Sequence, residues 1–188
     1  MSTTGSDLKE RVQVQHLLHS PGANTYAWEV ERNTWAAAEQ DDRKNLFSSV
    51  GIGARGVTFT IRRSSSLTLT NSFLWRGQFC FLTSIVDGDP GFQVVKAALC
   101  DPVDCIKDAD LETQGCRFPG ILTEKYVGHE QLDPHAEVTG DLVLVTPKVV
   151  SLKPGSWVLI GERHFLVRAP HELDPYKNEY EIRRTEDC

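Results

Sequence analysis

The side chains with the most reactive chemistry cluster in the middle of the chain. Three cysteines there could bind zinc, with one histidine as the fourth ligand: Cys100, Cys105 and Cys116, with His129 or His135. Structural zinc sites usually use tighter pairs of ligands than this irregular spacing provides. The odd total of five cysteines does not indicate a disulfide framework either. We therefore expect reduced thiols, no bound metal and no cofactor.

A second polar group surrounds one turn near the C-terminus. It contains His164, His171, Glu172 and Asp174, which could act in acid–base catalysis or hold a metal. Turns also select Asp, Pro and polar residues, because these side chains bond to their own backbone. The turn interpretation is favoured. The sequence contains no nucleophile elbow, no zinc-protease motif and no Walker motif, so we expect that this protein is not an enzyme.

Aromatic residues offer a third kind of site. They could line a ligand pocket, which keeps a small-molecule or carbohydrate-binding β module as the alternative function; they are Trp28, Trp35, Trp75, Trp157, Phe47, Phe79 and Phe81. On alternating strands, aromatic side chains are more often core, because each buries a large apolar area. The core interpretation is favoured.

Short strands must position all of these residues. Residues 11–18 and 57–61 alternate between apolar and polar side chains, which is typical of half-buried strands. About ten such segments with turn signals between them predict a mainly β fold, with small barrels or sandwiches of short antiparallel strands and little helix. Residues 34–39 fit either a strand or a helix. Their alanine run favours helix, whereas the predicted hairpin before them favours a continuing strand.

Two segments, 56–99 and 141–185, resemble one β unit written twice. Each has a β-rich run, a leucine segment, a Trp, a tight turn and two more strands; the Trp and turn are Trp75 with Arg76-Gly77, and Trp157 with Gly161-Glu162. The segment between the copies is acidic and Pro-flanked. The sequence thus predicts a first module at 1–100, an acidic linker or projecting loop at 101–118, and a second module at 119–188 that is a possible divergent repeat.

Composition limits the partners. The 188 residues carry a formal net charge of −6, and Lys and Arg (20) are outnumbered by Asp and Glu (26), which disfavours general nucleic-acid binding. A local basic patch would need Arg55, Arg62, Arg63 and Arg76, for which a solvated strand face is the favoured interpretation. No run of 18 apolar residues exists and residues 1–10 lack an apolar core, so we expect neither a membrane partner nor a signal peptide.

Residues 9–100 contain a recognisable order of motifs: RVQVQ, TYAWEVERNTWAAAEQ, a glycine-containing loop, GVTFTIRR and FLWRGQFCFLTSI. This order resembles the head–tail joining family of tailed bacteriophages. The matching positions are Val12, Val14, Trp35, Ala36, Val57, Phe59, Ile61, Arg62, Gly77, Phe79 and Ile85. Residues 119–188 depart from the pattern, since family members usually end near the first module.

The resemblance implies a non-enzymatic virion structural protein, a head–tail connector or head-completion subunit. Such proteins are small β barrels that form homo-oligomeric rings at the neck, below the portal. The implied partners are further copies of the chain and other neck proteins (portal, adaptor or tail), with transient passage of phage DNA and no sequence-specific binding. The implied location is the virion, and the host cytoplasm during assembly. Negative net charge would limit adhesion of DNA to the wall of such a conduit.

Residues 40–56 form a long connection between strands, and long loops are usually functional or disordered. Four apolar side chains lie within it, Leu46, Phe47, Val50 and Ile52, followed by Arg55. We expect these five residues to contact a neighbouring subunit or to line a channel, because exposed apolar side chains lose hydrophobic stabilisation. The alternative is that the loop folds back onto its own barrel or forms a short helix there.

The irregular cysteine spacing generates a first prediction. Protein purified without added metal should contain no stoichiometric zinc when its metal content is measured by plasma mass spectrometry. One zinc ion per chain would contradict the expectation that the thiols of the central segment are plain reduced side chains.

Overall fold

The computed structural model describes residues 5–45, 54–107, 115–124 and 142–185, and the side chains of 41–45 and 54 are not part of that description. Its described strands are β1 Glu10–Ser20, β2 Thr25–Asn45, β3 Ala54–Arg62, β4 Ser72–Trp75, β5 Gln78–Asp87, β6 Phe92–Cys100, β7 Pro102–Lys107, β8 Cys116–Glu124, β9 Leu142–Pro147, β10 Trp157–Ile160, β11 Arg163–His171 and β12 Lys177–Arg184. A short 3₁₀ turn, Gly5–Asp7, precedes them. The prediction of a mainly β fold is confirmed, and the undecided residues 34–39 are strand.

The chain divides into two compact units. Among the described residues, the first contains 5–20, 26–45 and 54–102, and the second contains 21–25, 103–107, 115–124 and 142–185. Strands β7 and β8 occupy much of the segment 101–118, which is therefore not simply a linker or loop. The reason is that both strands supply core side chains, Cys105 and Phe118, each fully buried. The second unit thus begins well before residue 119.

The first unit is a closed ring of six strands. Hydrogen bonds join them in the order β1-β4-β5-β6-β3-β2, and β1 also pairs with β2, which closes the ring. Alternating side chains point inward and fill it, as expected for a small barrel. Phe59 contacts Phe73 and Trp75 edge to face, with ring centroids 5.4 and 5.6 Å apart. Val12, Val14 and Val95 complete this core and are also fully buried.

The second unit has the same topology. Its strands follow the order β8-β7-β10-β11-β12-β9, and β8 also pairs with β9. Equivalent pairs agree in register: Phe59 pairs with Val95, and Leu144 pairs with Tyr180, a difference of 85 in residue number for both partners. The agreement includes a bulge, since the ladder shifts between Leu82 and Ser84 in β5 and between Val167 and Ala169 in β11.

Two tight turns set this shared register. In the first unit, Trp75 pairs with Gln78 across Arg76-Gly77, where both turn residues have positive φ (52° and 79°), the pattern of a type I′ hairpin. In the second unit, Ile160 pairs with Arg163, and Gly161 has a φ of 61°, as type II′ requires.

Trp75 and Trp157 are therefore not equivalent positions, although the order of motifs in the sequence had matched them. Ile160 takes the place of Trp75, while Trp157 begins β10 and is exposed. The tight turns, and not the tryptophans, fix which residues correspond.

A buried amide secures the same connection in each unit. Gln93 Oε1 accepts a hydrogen bond from Ser64 N at 3.3 Å, after β3. Asn178 Nδ2 donates to the carbonyl oxygens of Lys148 and Val150 at 3.1 and 2.9 Å, after β9. Buried polar groups are stabilised when they are hydrogen-bonded, so these amides hold the loop that follows β3 in the first unit and β9 in the second.

Gly120 in β8 generates the second prediction. A Cβ at this position would lie 2.6 Å from Leu144 Cδ1 and 2.9 Å from Cys105 Sγ, closer than side chains approach in cores. Gly120→Ala should therefore lower the free energy of unfolding by about 1–3 kcal/mol, the usual cost of overpacking, in urea denaturation.

Gly22→Ala is the matched control, because a Cβ there would meet nothing within 4 Å. It should leave the free energy of unfolding unchanged or slightly raised. Equal stability of the two variants would show that the interior of the second barrel is not closely packed at Gly120.

Candidate functional site

The polar group near the C-terminus does not form one cluster. His164 is exposed near the start of β11, and His171 ends the same strand, seven residues and about 23 Å further along. His171 Nε2 lies 2.9 Å from Glu181 Oε1 on β12. The four residues that could have acted together in catalysis are thus divided between the two ends of a strand.

The remaining members of that group build the loop between β11 and β12. Asp174 Oδ1 accepts hydrogen bonds from the backbone N–H groups of Tyr176 and Lys177 at 2.7 and 3.2 Å. Lys148 Nζ donates to the carbonyl oxygens of Glu172 and Asp174, both at 2.8 Å. These bonds are those of a fixed turn, as the turn interpretation predicts.

Tyr180 anchors the loop to the barrel. Its hydroxyl accepts a hydrogen bond from Leu152 N at 3.1 Å, while Val150 O and Glu172 Oε1 each lie 3.2 Å away as acceptors. Burial is the main cause that raises the pKa of Tyr180, and the nearby Glu172 carboxylate adds to it. The phenol therefore stays protonated and remains a hydrogen-bond donor at neutral pH.

The loop presents apolar side chains to solvent. Leu173 is fully exposed (101%) and Tyr176 is 41% exposed. Neither residue was predicted from the sequence to be functional. The signal was an apolar residue inside a polar turn: the corresponding positions of the first unit, in the loop between β5 and β6, are Gly88 and Gly91.

The cysteines that could have bound zinc are distributed over three strands, with Cys100 on β6, Cys105 on β7 and Cys116 on β8. Within residues 5–45, 54–107, 115–124 and 142–185, no three His, Cys, Asp or Glu side chains come close enough to hold a metal ion. His129 and His135 lie outside the described residues.

The aromatic residues have different surroundings in the part of the chain that is described. Trp75 is buried in the first core, Trp28 contacts Phe79 at 5.7 Å between ring centroids, and Trp35 and Trp157 are about half exposed. Trp75 is also covered from outside by the guanidinium of Arg76, 4.7 Å from its ring. A hydrogen bond to Arg76 lowers the pKa of Glu10, so this surface arginine belongs to an ion pair.

The predicted interface loop is shorter than expected. Strand β2 continues to Asn45, and β3 begins at Ala54, so residues 40–45 and 54–56 are strand. They pair at Asp41 with Gly56 and at Lys44 with Arg55. Arg55 is exposed. The four apolar residues of the prediction, Leu46, Phe47, Val50 and Ile52, lie outside the described residues.

The other arginines proposed as a basic patch are engaged separately. Arg63 Nη2 forms an ion pair with Asp87 Oδ1 at 3.0 Å, and Arg76 pairs with Glu10. Arg62 is exposed on the outer face of β3. Two of the four charges are thus neutralised by neighbours, which agrees with a solvated strand face.

The positions that carry the phage-family resemblance are mostly core positions. Six of them are almost completely buried in the first barrel: Val12, Val14, Ala36, Val57, Phe59 and Ile61. Gly77 lies in the tight turn, and Ile85 packs against the core.

Comparison with known families, proteins and structures adds no relative. No family model, no curated protein and no solved structure matches this chain. In the described part of the chain, no helix has the length and apolarity to cross a membrane.

The third prediction concerns the buried thiols. Burial raises the pKa of Cys80 and of Cys105 from 9.0 to about 12. Because the unfolded thiols lose their protons first, their contribution to the free energy of unfolding should be constant below about pH 9 and fall as pH rises toward 12. Each thiol contributes up to about 1.4 kcal/mol per pH unit.

The measurement is urea denaturation at several pH values, compared between the parent and the double variant Cys80→Ala/Cys105→Ala. The double variant retains Tyr180 and all lysines, so the difference in slope isolates the two thiols. Identical slopes above pH 9 would show that these thiols are not held protonated by burial.

Proposed function

We propose that this chain is a non-enzymatic structural protein of a tailed-phage virion, a head–tail connector or head-completion subunit that forms a ring at the neck below the portal. The observation that supports it best is the use of the polar residues. Asp174, Lys148 and Tyr180 bond to backbone groups, and Tyr180 also bonds to the Glu172 carboxylate, so that together they shape a loop. These polar side chains thus fix the shape of a surface loop, as expected of a protein that acts through its surface contacts.

The barrel interiors support the same proposal. Three aromatic side chains inside the first unit, Phe59, Phe73 and Trp75, pack on one another and are almost completely excluded from solvent. A filled interior leaves the outside of the barrel for recognition. Partners in this proposal are further copies of the chain and the portal, adaptor or tail proteins, with phage DNA passing without sequence-specific contacts.

The phage-family resemblance supports the proposal because its positions have structural roles. Most of them build the core and turns of the barrel, and Trp35 and Arg62 lie on its outer surface. Net charge of −6 suits passage of DNA through a ring, since a negative wall does not retain the phosphate backbone.

The fourth prediction tests the role in the virion. Interruption of the gene for this chain in the phage or prophage genome that encodes it should yield DNA-filled heads and separate tails in electron micrographs, with loss of infectivity. Supply of the intact chain from a plasmid should restore joined particles. A gene that lies outside any phage genome, or normal infectious particles after its interruption, would contradict the proposal.

A further inference from the structure

Hydrogen bonds order the backbone of the loop between β11 and β12, and apolar side chains of this loop are exposed to solvent. Four hydrogen bonds from Lys148 Nζ and to Asp174 Oδ1 fix its backbone, yet Leu173 contacts nothing that shields it. An exposed apolar group on a backbone that hydrogen bonds already order loses little backbone entropy on binding, which favours its use as an interface anchor. We call Leu173 and Tyr176 the loop knob.

The first unit shows that the fold does not require these side chains. Its equivalent loop has the same Asp-Pro pair, Asp89-Pro90, and the same closing bond: Arg63 N donates to Gly91 O, as Lys148 N donates to Tyr176 O. Glycines stand there in the places of Leu173 and Tyr176. The knob is therefore an addition to a turn that forms without it.

A complementary surface lies on the outside of the first barrel. Ala37, Thr60, Val94 and Val86 form one continuous cross-strand row over four strands. Trp35 and Phe92 lie beside this row, and Trp35 and Val86 are 58% and 50% exposed. We call these six residues the Trp35 face. An exposed apolar patch of this kind is typical of a surface that binds another protein.

The charges around the two surfaces are opposite. Glu172 and Asp174 flank Leu173 in the loop, whereas Arg62 and Lys96 are exposed on the same outer face as Trp35. Glu39 is an acidic residue on that face, at the β2 side, and Glu31, which pairs with Arg32, is exposed further along the same strand. The loop around the knob carries two carboxylates and one ammonium, that of Lys148, while the face carries two exposed bases beside Glu39, so the balance of charge is opposite on the two surfaces. Such complementarity sets orientation and encounter rate.

The two units differ reciprocally at these places. Where the first unit has Val86, Phe92 and Val94, the second has His171, Lys177 and Glu179. The face is thus apolar only in the first unit, and the loop is apolar only in the second. One chain carries one knob and one face, which is the requirement for head-to-tail association.

We propose that the loop knob of one copy docks on the Trp35 face of a second copy, and that this heterologous contact joins successive subunits of the ring. The proposal rests on the proposed function only for the ring; the contact itself is argued from the two surfaces. Repetition of a heterologous contact closes into a ring when its rotation allows.

The fifth prediction tests the contact by sedimentation velocity of the full chain over a range of concentrations. The parent should form assemblies larger than a dimer. Leu173→Ala and Trp35→Ala should each weaken association by about 30-fold or more, the effect of removing an interface anchor. Leu18→Ala and Trp157→Ala are the matched controls, since both residues are partly exposed outside the knob and the face.

A mixture of the two variants gives the sharpest result. The Trp35→Ala chain retains the knob and the Leu173→Ala chain retains the face, so one intact contact forms between them. The mixture should contain a one-to-one heterodimer that grows no further. Thermal unfolding of each variant should match the parent, because neither side chain is buried.

Two results would overturn the proposal, and they differ in what they say about function. A parent that assembles while both variants assemble equally well would place the contact elsewhere, for example on the β2–β3 hairpin, and would leave the connector role intact. A parent that stays monomeric at every concentration would exclude self-association through these surfaces, and gene interruption in the phage would then decide the role independently.

Discussion

Closure of the hydrogen-bond ladder is the constraint on which the rest of this structure depends. In each unit, six strands pair in a ring, so that every described strand has a neighbour on both sides. An open sheet exposes unpaired N–H and C=O groups along its edges and invites pairing with other chains. Closed rings remove that route. For the described strands, the closed rings therefore favour association through side chains on the barrel surface or on its loops.

The register that closes one ring also closes the other. Gln93 and Asn178 are equivalent residues that differ in type but have the same role. Each binds the backbone of the loop that follows β3 or β9. Leu67 and Leu152 occupy equivalent buried positions in that loop. What the two units share is thus backbone pairing, a few buried anchors and two turns. The outer surfaces are free to diverge, and function is expected in that divergence.

The sequence predicted the strands that alternate and the turns that contain glycine, because both signals are local. Val57, Phe59 and Ile61 alternate with polar residues and are indeed core. Strands β7 and β8 were not predicted, since Pro102 and Pro119 lie within them and their inward side chains are few. The place of Trp75 was misassigned because residue type is a weaker guide to register than turn position.

The surfaces could be predicted only in part. Leu173 is visible in the sequence as an apolar residue in a polar turn, yet its exposure depends on how Lys148, twenty-five positions earlier, reaches the loop backbone. The Trp35 face depends on the pairing of β2, β3, β6 and β5, which are not consecutive in the chain. Such juxtapositions follow from which strands pair, and local patterns in a sequence do not reveal the pairing of distant strands.

Hydrogen–deuterium exchange, resolved to single amides by nuclear magnetic resonance, tests the closed rings most directly. A strand at a sheet edge leaves alternate N–H groups unpaired, and these exchange quickly in native protein. The closed rings predict that β1 and β4 of the first unit, and β7 and β10 of the second, are protected at successive amides in the paired segments, as central strands are. Fast exchange at alternate amides along any one of these strands would show an open sheet and would contradict the account.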